Sequence, residues 1–221
     1  RVRSSAASDV YKRQLQCSYG TSANFTSDRQ YEENSPLEIE ALRYFMAQNN
    51  CAAMDGGLAI YSAGNESKNI SNFPGGYSKC ISVTSIGPDC LPAYYTCYGQ
   101  GCNIAAPGGE IVGFSGGERA GVLSTTCSEL TGSDYGYMQG TSMACPHVSG
   151  VVALGLSYAA QQRRHFTADE FKKLLYETAT PIDEYTKGTK FYYRYAYELG
   201  YTNPTPVSYT HLRAHETSQD L

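Results

Sequence analysis

The sequence predicts an α/β fold in three layers, helix–sheet–helix, around a mostly parallel sheet. Three observations predict it. Two short apolar runs, LAIYSA at 58–63 and CISVTSI at 80–86, lack the alternation of a strand with one wet face and read as strands buried on both sides. Helical stretches with explicit start signals flank them, one opening at Ser35 and one at Thr167. Buried strands alternating with helices require crossovers and therefore a parallel sheet covered on both faces.

The first helix has Ser35 at its N-cap, Pro36 at the first helical position and Glu38 three residues after the cap, and is expected to run to about Asn50. Leu37, Ile39, Leu42, Phe45 and Met46 give it one apolar face. Asp55-Gly56-Gly57 is a turn that feeds the first buried strand. After Cys90 the chain is rich in loops, with shorter strands at 103–105 and 122–125 separated by the Pro107-Gly108-Gly109 turn and a surface insertion at 113–121. From Thr141 to about Ala160 the pattern is helical, and Pro146 is tolerated because the first turn loses no intrahelical donor there. Thr167 and Glu170 form the capping box of the last helix.

The chain has 221 residues, with 17 Lys/Arg against 21 Asp/Glu. Residues 4–14, SSAASDVYKRQ, read as a one-frame translation of a transposase-library sequencing adapter, and 207–217, VSYTHLRAHET, as the opposite-end adapter. Residues 1–14 and 207–221 are therefore set aside as not natural, leaving 15–206 as one partial domain. That stretch holds 12 Lys/Arg and 18 Asp/Glu, a net charge near −6, which argues against a nucleic-acid partner. No apolar run approaches the roughly 18 residues of a membrane span. Of the eight cysteines, Cys80 and Cys145 lie in apolar stretches and are expected to pack as small hydrophobes. Cys97 and Cys102 are spaced to close a loop disulfide, and no paired C-x-x-C spacing marks a zinc site.

A serine hydroxyl needs a base for its proton and donors for the developing oxyanion, and a helix N-terminus supplies donors. Gly140-Thr141-Ser142-Met143-Ala144 places Ser142 at such a start among small neighbours. The stretch GTSMACPHVSGVVAL at 140–154 resembles the nucleophile motif of the subtilisin-like serine peptidases almost residue for residue. SAGNES at 62–67, NFPGGYSKCISVTSI at 72–86, NIAAPGGEI at 103–111 and CSYG at 17–20 resemble further segments of that family in its order, so the likeness covers nearly all of 15–182.

That resemblance implies a subtilisin-like fold truncated on its N-terminal side, with Ser142 as nucleophile and the Asn65 amide as oxyanion donor beside the Ser142 N–H. It also implies a peptide substrate paired with Ser18, Tyr19 and Gly20, a pocket walled by Gly20, Ala63 and Gly64, Asn72 near its floor, and Thr141 at the substrate side. A serine-type endopeptidase follows for the parent protein, with no cofactor except structural calcium in many relatives, and a secreted or cell-envelope location. In this family the order is Asp, His, Ser, so the Asp and His belong upstream of Cys17. The chain alone is then expected to be inactive and to expose apolar edges, since the family threads its N-terminal strands into the sheet. His147, five residues after Ser142, is read as a packed helix residue, His165 as a surface residue, and His211 and His215 as adapter. Asp55 and Asp134 are read as loop formers. The alternative is a peptide-binding homologue without catalysis. An α/β-hydrolase is set aside because the G-x-S-x-G elbow fails at Ala144.

Overall fold

The computed structural model describes residues 13–21, 24–49, 51–112, 116–182, 189–191 and 206–208. The central sheet is four-stranded in the order β1-β3-β4-β5, formed by β1 (Gln14–Cys17), β3 (Leu58–Ser62), β4 (Ile81–Ile86) and β5 (Ile104–Pro107). Every pairing in it is parallel, with Cys17 opposite Tyr61, Ser62 opposite Val83 and Thr84 opposite Ala105. β2 (Met54–Asp55) pairs in parallel with β8 (Phe166–Thr167), while β6 (Val122–Thr125) and β7 (Tyr135–Met138) form an antiparallel hairpin. A further antiparallel pair joins β9 (Thr189–Phe191) and β10 (Pro206–Ser208). Of the ends read as adapter, Gln14 opens β1, one residue before the expected boundary, and Val207 and Ser208 lie in β10.

β3 explains the layering. All five of its residues are buried. Leu58 and Ile60 join Ile81, Val83, Ala144, Cys145, Val148 and Val152 in one core, while Ala59 and Tyr61 join Tyr31, Ile39, Leu42, Phe73 and Tyr77 in the other. Successive side chains point to opposite faces of a strand, so a run without polar alternation needs cover on both. One cover is α2 (Pro36–Met46), with the short α1 (Asp28–Asn34) beside it; the other is α4 (Thr141–Gln161), which contacts all four strands of the sheet. α3 (Ser128–Thr131) is a single turn before the hairpin's second strand, and α5 (Ala168–Glu177) closes the α4 side through Phe171 and Leu175.

By length and composition alone α4 can cross a membrane, against the sequence reading. It is instead the core helix, burying Ala144, Cys145, Val148, Val152, Leu156 and Ala159. Its other face exposes Val151, Leu154 and Tyr158, and β1 has a strand partner on one side only among the described residues.

Two local expectations are corrected. Ser35 makes no side-chain cap; its N–H donates to the Tyr31 carbonyl, because it is also the residue that ends α1. α2 stops at Met46 rather than Asn50, and the Asn49 amide oxygen accepts the Gly56 N–H, an alternative to helix that asparagine offers the backbone. The Thr167–Glu170 capping box forms in both directions, as expected.

Candidate active site

The site lies where the ends of β1 and β3 meet the start of α4. Gly140 precedes the helix in an extended conformation with positive φ (149°), and no side chain of its own caps the helix. Asn65, three residues beyond β3, supplies the cap: its Oδ1 accepts both the Thr141 N–H and the Thr141 O–H, each at 2.9 Å. Thr141 Oγ1 in turn accepts the Gly64 N–H at 3.3 Å. With Oδ1 occupied by Thr141, the other end of the Asn65 amide, Nδ2, faces the helix entrance. A methyl built on Gly140 would sit 3.7 Å from Asn65 Nδ2 and 3.6 Å from the Ser142 nitrogen, so the two donors border the same small space. Donors fixed before charge develops are what an oxyanion requires.

Ser142 Oγ donates to the Ser18 carbonyl at 3.2 Å, and Ser18 Oγ donates back to the Ser142 carbonyl at 2.8 Å. These reciprocal bonds hold the edge of β1 against the helix start. Neither described histidine reaches the hydroxyl: His147 Nδ1 is bonded to the Met143 carbonyl at 2.8 Å, and His165 Nδ1 to the Ala52 carbonyl at 3.1 Å. His211 and His215 lie outside the described residues. Asp55 pairs with His165 at 3.1 Å, and the Asp134 carbonyl accepts the Thr126 N–H in the β6–β7 turn.

Of the remaining residues expected to bind substrate, Gly20, Gly64 and Asn72 lie together. Gly20 and Gly64 face each other across the Asn72 side chain: a methyl on Gly20 would lie 3.0 Å from Asn72 Cβ, and one on Gly64 would overlap Asn72 Nδ2 and lie 2.6 Å from Glu66 Oε2. Gly64 has φ +112°, so both its backbone and its neighbours demand glycine. Asn72 is anchored by its N–H to the Ala63 carbonyl at 2.7 Å, and Thr21 N–H to the Phe73 carbonyl at 2.7 Å ties the two walls together. Tyr19 is half exposed, with its ring edge-on to Tyr61 and its hydroxyl donating to Glu38 at 3.2 Å.

Sequence reasoning missed several residues here. Asn72 Nδ2 donates to Glu66 Oε2 at 2.8 Å, and the Cys97 thiol donates to the same oxygen at 3.4 Å. On the other side of Asn65 opens a cavity of about 300 Å³ lined by Glu66, Tyr94, Tyr95, Gln139 and Gly140 among others. The Tyr95 hydroxyl donates to the Gly108 and Gly109 carbonyls at 3.1 and 2.6 Å, and burial pushes its pKa up, so it stays a neutral brace for the loop behind Gly140. Buried Glu110 accepts the Tyr94 N–H at 3.1 Å. All eight cysteines are free thiols, including Cys97 and Cys102, and burial raises the pKa of both. Cys80 and Cys145 are buried as expected, and burial pushes Cys80 up to about 12. Among the described residues no group of three or more His, Cys, Asp or Glu is placed to hold a metal.

A model of the subtilase family matches residues 5–202. The chain belongs to that family. Among curated subtilase-like relatives, it is 32% identical over 146 residues to the thermophilic serine proteinase of Bacillus sp. strain AK1, covering 66% of this chain and 30% of that protein. It is 34% identical over 126 residues to the extracellular basic protease of Dichelobacter nodosus, covering 57% of this chain and 20% of that protein. The chain thus spans a third or less of the length of these relatives. Among solved structures, proteases from Pseudoalteromonas arctica PAMC 21717 superpose with a TM-score of 0.56 at 30% identity, covering 76% of this chain and 44% of theirs. A lanthipeptide protease superposes with a TM-score of 0.58 at 22% identity over 76% of this chain and 54% of its own, a likeness of fold.

Proposed function

We propose that this subtilase chain carries the nucleophile half of a serine-type endopeptidase. The observation that supports it most is that Asn65 Nδ2 and the Ser142 nitrogen border one small space at the start of α4, where Ser142 carries its hydroxyl. In this reading an extended peptide pairs with Ser18–Gly20 as an added strand. Ser142 Oγ attacks the carbonyl as a histidine oriented by an aspartate takes its proton, and Asn65 with the Ser142 N–H holds the oxyanion; the C–N bond then breaks as the histidine hands that proton to the departing amine, and water attacks the acyl-enzyme through a second oxyanion to release the acid and free Ser142.

The histidine and aspartate come from sequence upstream of β1. The edge of β1 that has no strand partner among the described residues offers backbone hydrogen bonds, and the exposed Val151, Leu154 and Tyr158 on α4 offer apolar surface, for such a segment to cover. Without it the chain does not turn over peptide, because no described base reaches Ser142 and loss of the base removes nearly all the rate of such a triad. The substrate is polypeptide, and export from the cell is inferred from relatives named as extracellular proteases.

The test is to recover the coding region upstream of Leu15, extend the chain with it and assay a casein-derived peptide. The expected result is hydrolysis that Ser142→Ala abolishes, with the 221-residue chain inert. An upstream region without the aspartate or histidine, and an extended chain that binds peptide without cutting it, would favour the binding homologue instead.

A further inference from the structure

We propose that Gln16 is a positioning residue for Ser142, acting through the Ser18 hydroxyl. The inference rests on the peptidase reading, in which Ser142 is the nucleophile. Alternate residues of an extended chain share a face, and Gln16 in β1 and Ser18 just past it both reach the start of α4. Gln16 Nε2 donates to Ser18 Oγ at 2.6 Å and to the Cys145 sulfur at 3.6 Å. Ser18 Oγ donates in turn to the Ser142 carbonyl at 2.8 Å. Residues three apart lie on one side of a helix, so a single amide on β1 fastens both 142 and 145.

Proton counting gives these bonds a direction. A serine hydroxyl has one proton, and an amide nitrogen can only donate. With a Gln16 N–H on its oxygen, the Ser18 hydroxyl turns its proton to the Ser142 carbonyl. Burial pushes the Cys145 thiol pKa up, so the sulfur keeps its proton for the Ile60 carbonyl at 3.6 Å while accepting from Gln16. Asn65 holds Thr141 from beyond the end of β3, and Gln16 holds the next turn from β1, so the nucleophile is fixed from two strands. A displacement of about 1 Å at a reacting group can cost on the order of 100-fold in rate, so a clamp remote from the scissile bond shows in kcat. The Gln16 bonds go to side chains and leave the Ser18–Gly20 backbone for a peptide to pair with. Gln16 is itself exposed, so exchanging it opens no cavity.

Gln16→Glu keeps the length of the side chain but offers the Ser18 hydroxyl an acceptor where it had a donor, so that hydroxyl turns from the Ser142 carbonyl to the carboxylate. In the upstream-extended enzyme, kcat on a casein-derived peptide should fall roughly tenfold with KM unchanged, the worth of about one hydrogen bond. Ser18→Ala should lose about the same factor. Because both act through one hydroxyl, the double variant should also lose roughly tenfold, not the roughly hundredfold of independent effects. Should the Glu variant fail to fold, Gln16→Met, which removes the donor at equal length, is expected to show the same loss and the same non-additivity. An unchanged kcat, a rise in KM alone, or a roughly hundredfold loss in the double variant overturns the positioning role and leaves the peptidase reading intact. An extended protein that is inert with Gln16 in place overturns both.

Discussion

Replacing Asn65 by Asp and by Ala separates two jobs of one side chain. Its Oδ1 accepts two bonds of 2.9 Å from Thr141, which fasten the loop after β3 to the start of α4. Asp keeps those acceptors and Ala removes them. At about 1 kcal/mol net per hydrogen bond, Asn65→Ala should lower stability by about 1–2 kcal/mol and Asn65→Asp by less than half of that. Urea unfolding of the 221-residue chain measures this as a lower midpoint at constant slope, with no need for activity. In the upstream-extended enzyme both variants lose the Nδ2 donor, and kcat should fall about 10²–10³-fold, roughly 2.7–4 kcal/mol, with KM little changed. That cost was established on subtilisin, a member of this family, and is carried over from it. If Asp destabilises as much as Ala, Oδ1 does not fasten Thr141. If Asp leaves kcat intact, Nδ2 is not an oxyanion donor.

Three further perturbations test the frame around the site. Gly64→Ala should cost on the order of 1–3 kcal/mol, since φ is +112° there and the new methyl would meet Asn72 and Glu66; an unchanged urea midpoint would contradict the packing described. Thr167→Ala removes the capping box that starts α5 and should cost about 1 kcal/mol by the same assay, with Thr167→Ser nearly neutral. His165 has its pKa raised, first by the Ala52 carbonyl and then by Asp55, from a reference of 6.5. Its stabilising contribution is therefore complete below pH 6.5 and is lost as pH rises through the higher folded value; His165→Asn should flatten that part of the stability profile.

The buried strands were legible in the sequence because runs such as LAIYSA have no polar face to offer water. α4 was legible because Pro146 sits where the first turn spends no donor. α1 was not: DRQYEEN is polar except for Tyr31, whose burial comes from Phe25, Phe73 and Tyr77 packing around its ring, a tertiary fact. The β7 strand YGYM was missed for the same kind of reason, since three of its four residues are exposed and only pairing with β6 makes it a strand. Ser142 and Asn65 were found through family resemblance, whereas Glu66 stood inside the same SAGNES segment unremarked. Its meaning depends on Asn72 and Cys97, 6 and 31 residues away, which only the fold brings to one carboxylate.

The reciprocal bonds between Ser18 and Ser142 span 124 positions, and the Asn65–Thr141 bonds span 76. Contacts of such high sequence separation form late, after local helices and after the entropy of closing long loops has been met. A chain whose α2, α4 and α5 are already helical still has no cleft until β1 docks beside β3. In the upstream-extended protein, under the peptidase reading, that order of assembly would leave partly folded copies as substrates before any of them is a protease. Newly made chains of this kind would be spared digestion by their equally immature neighbours.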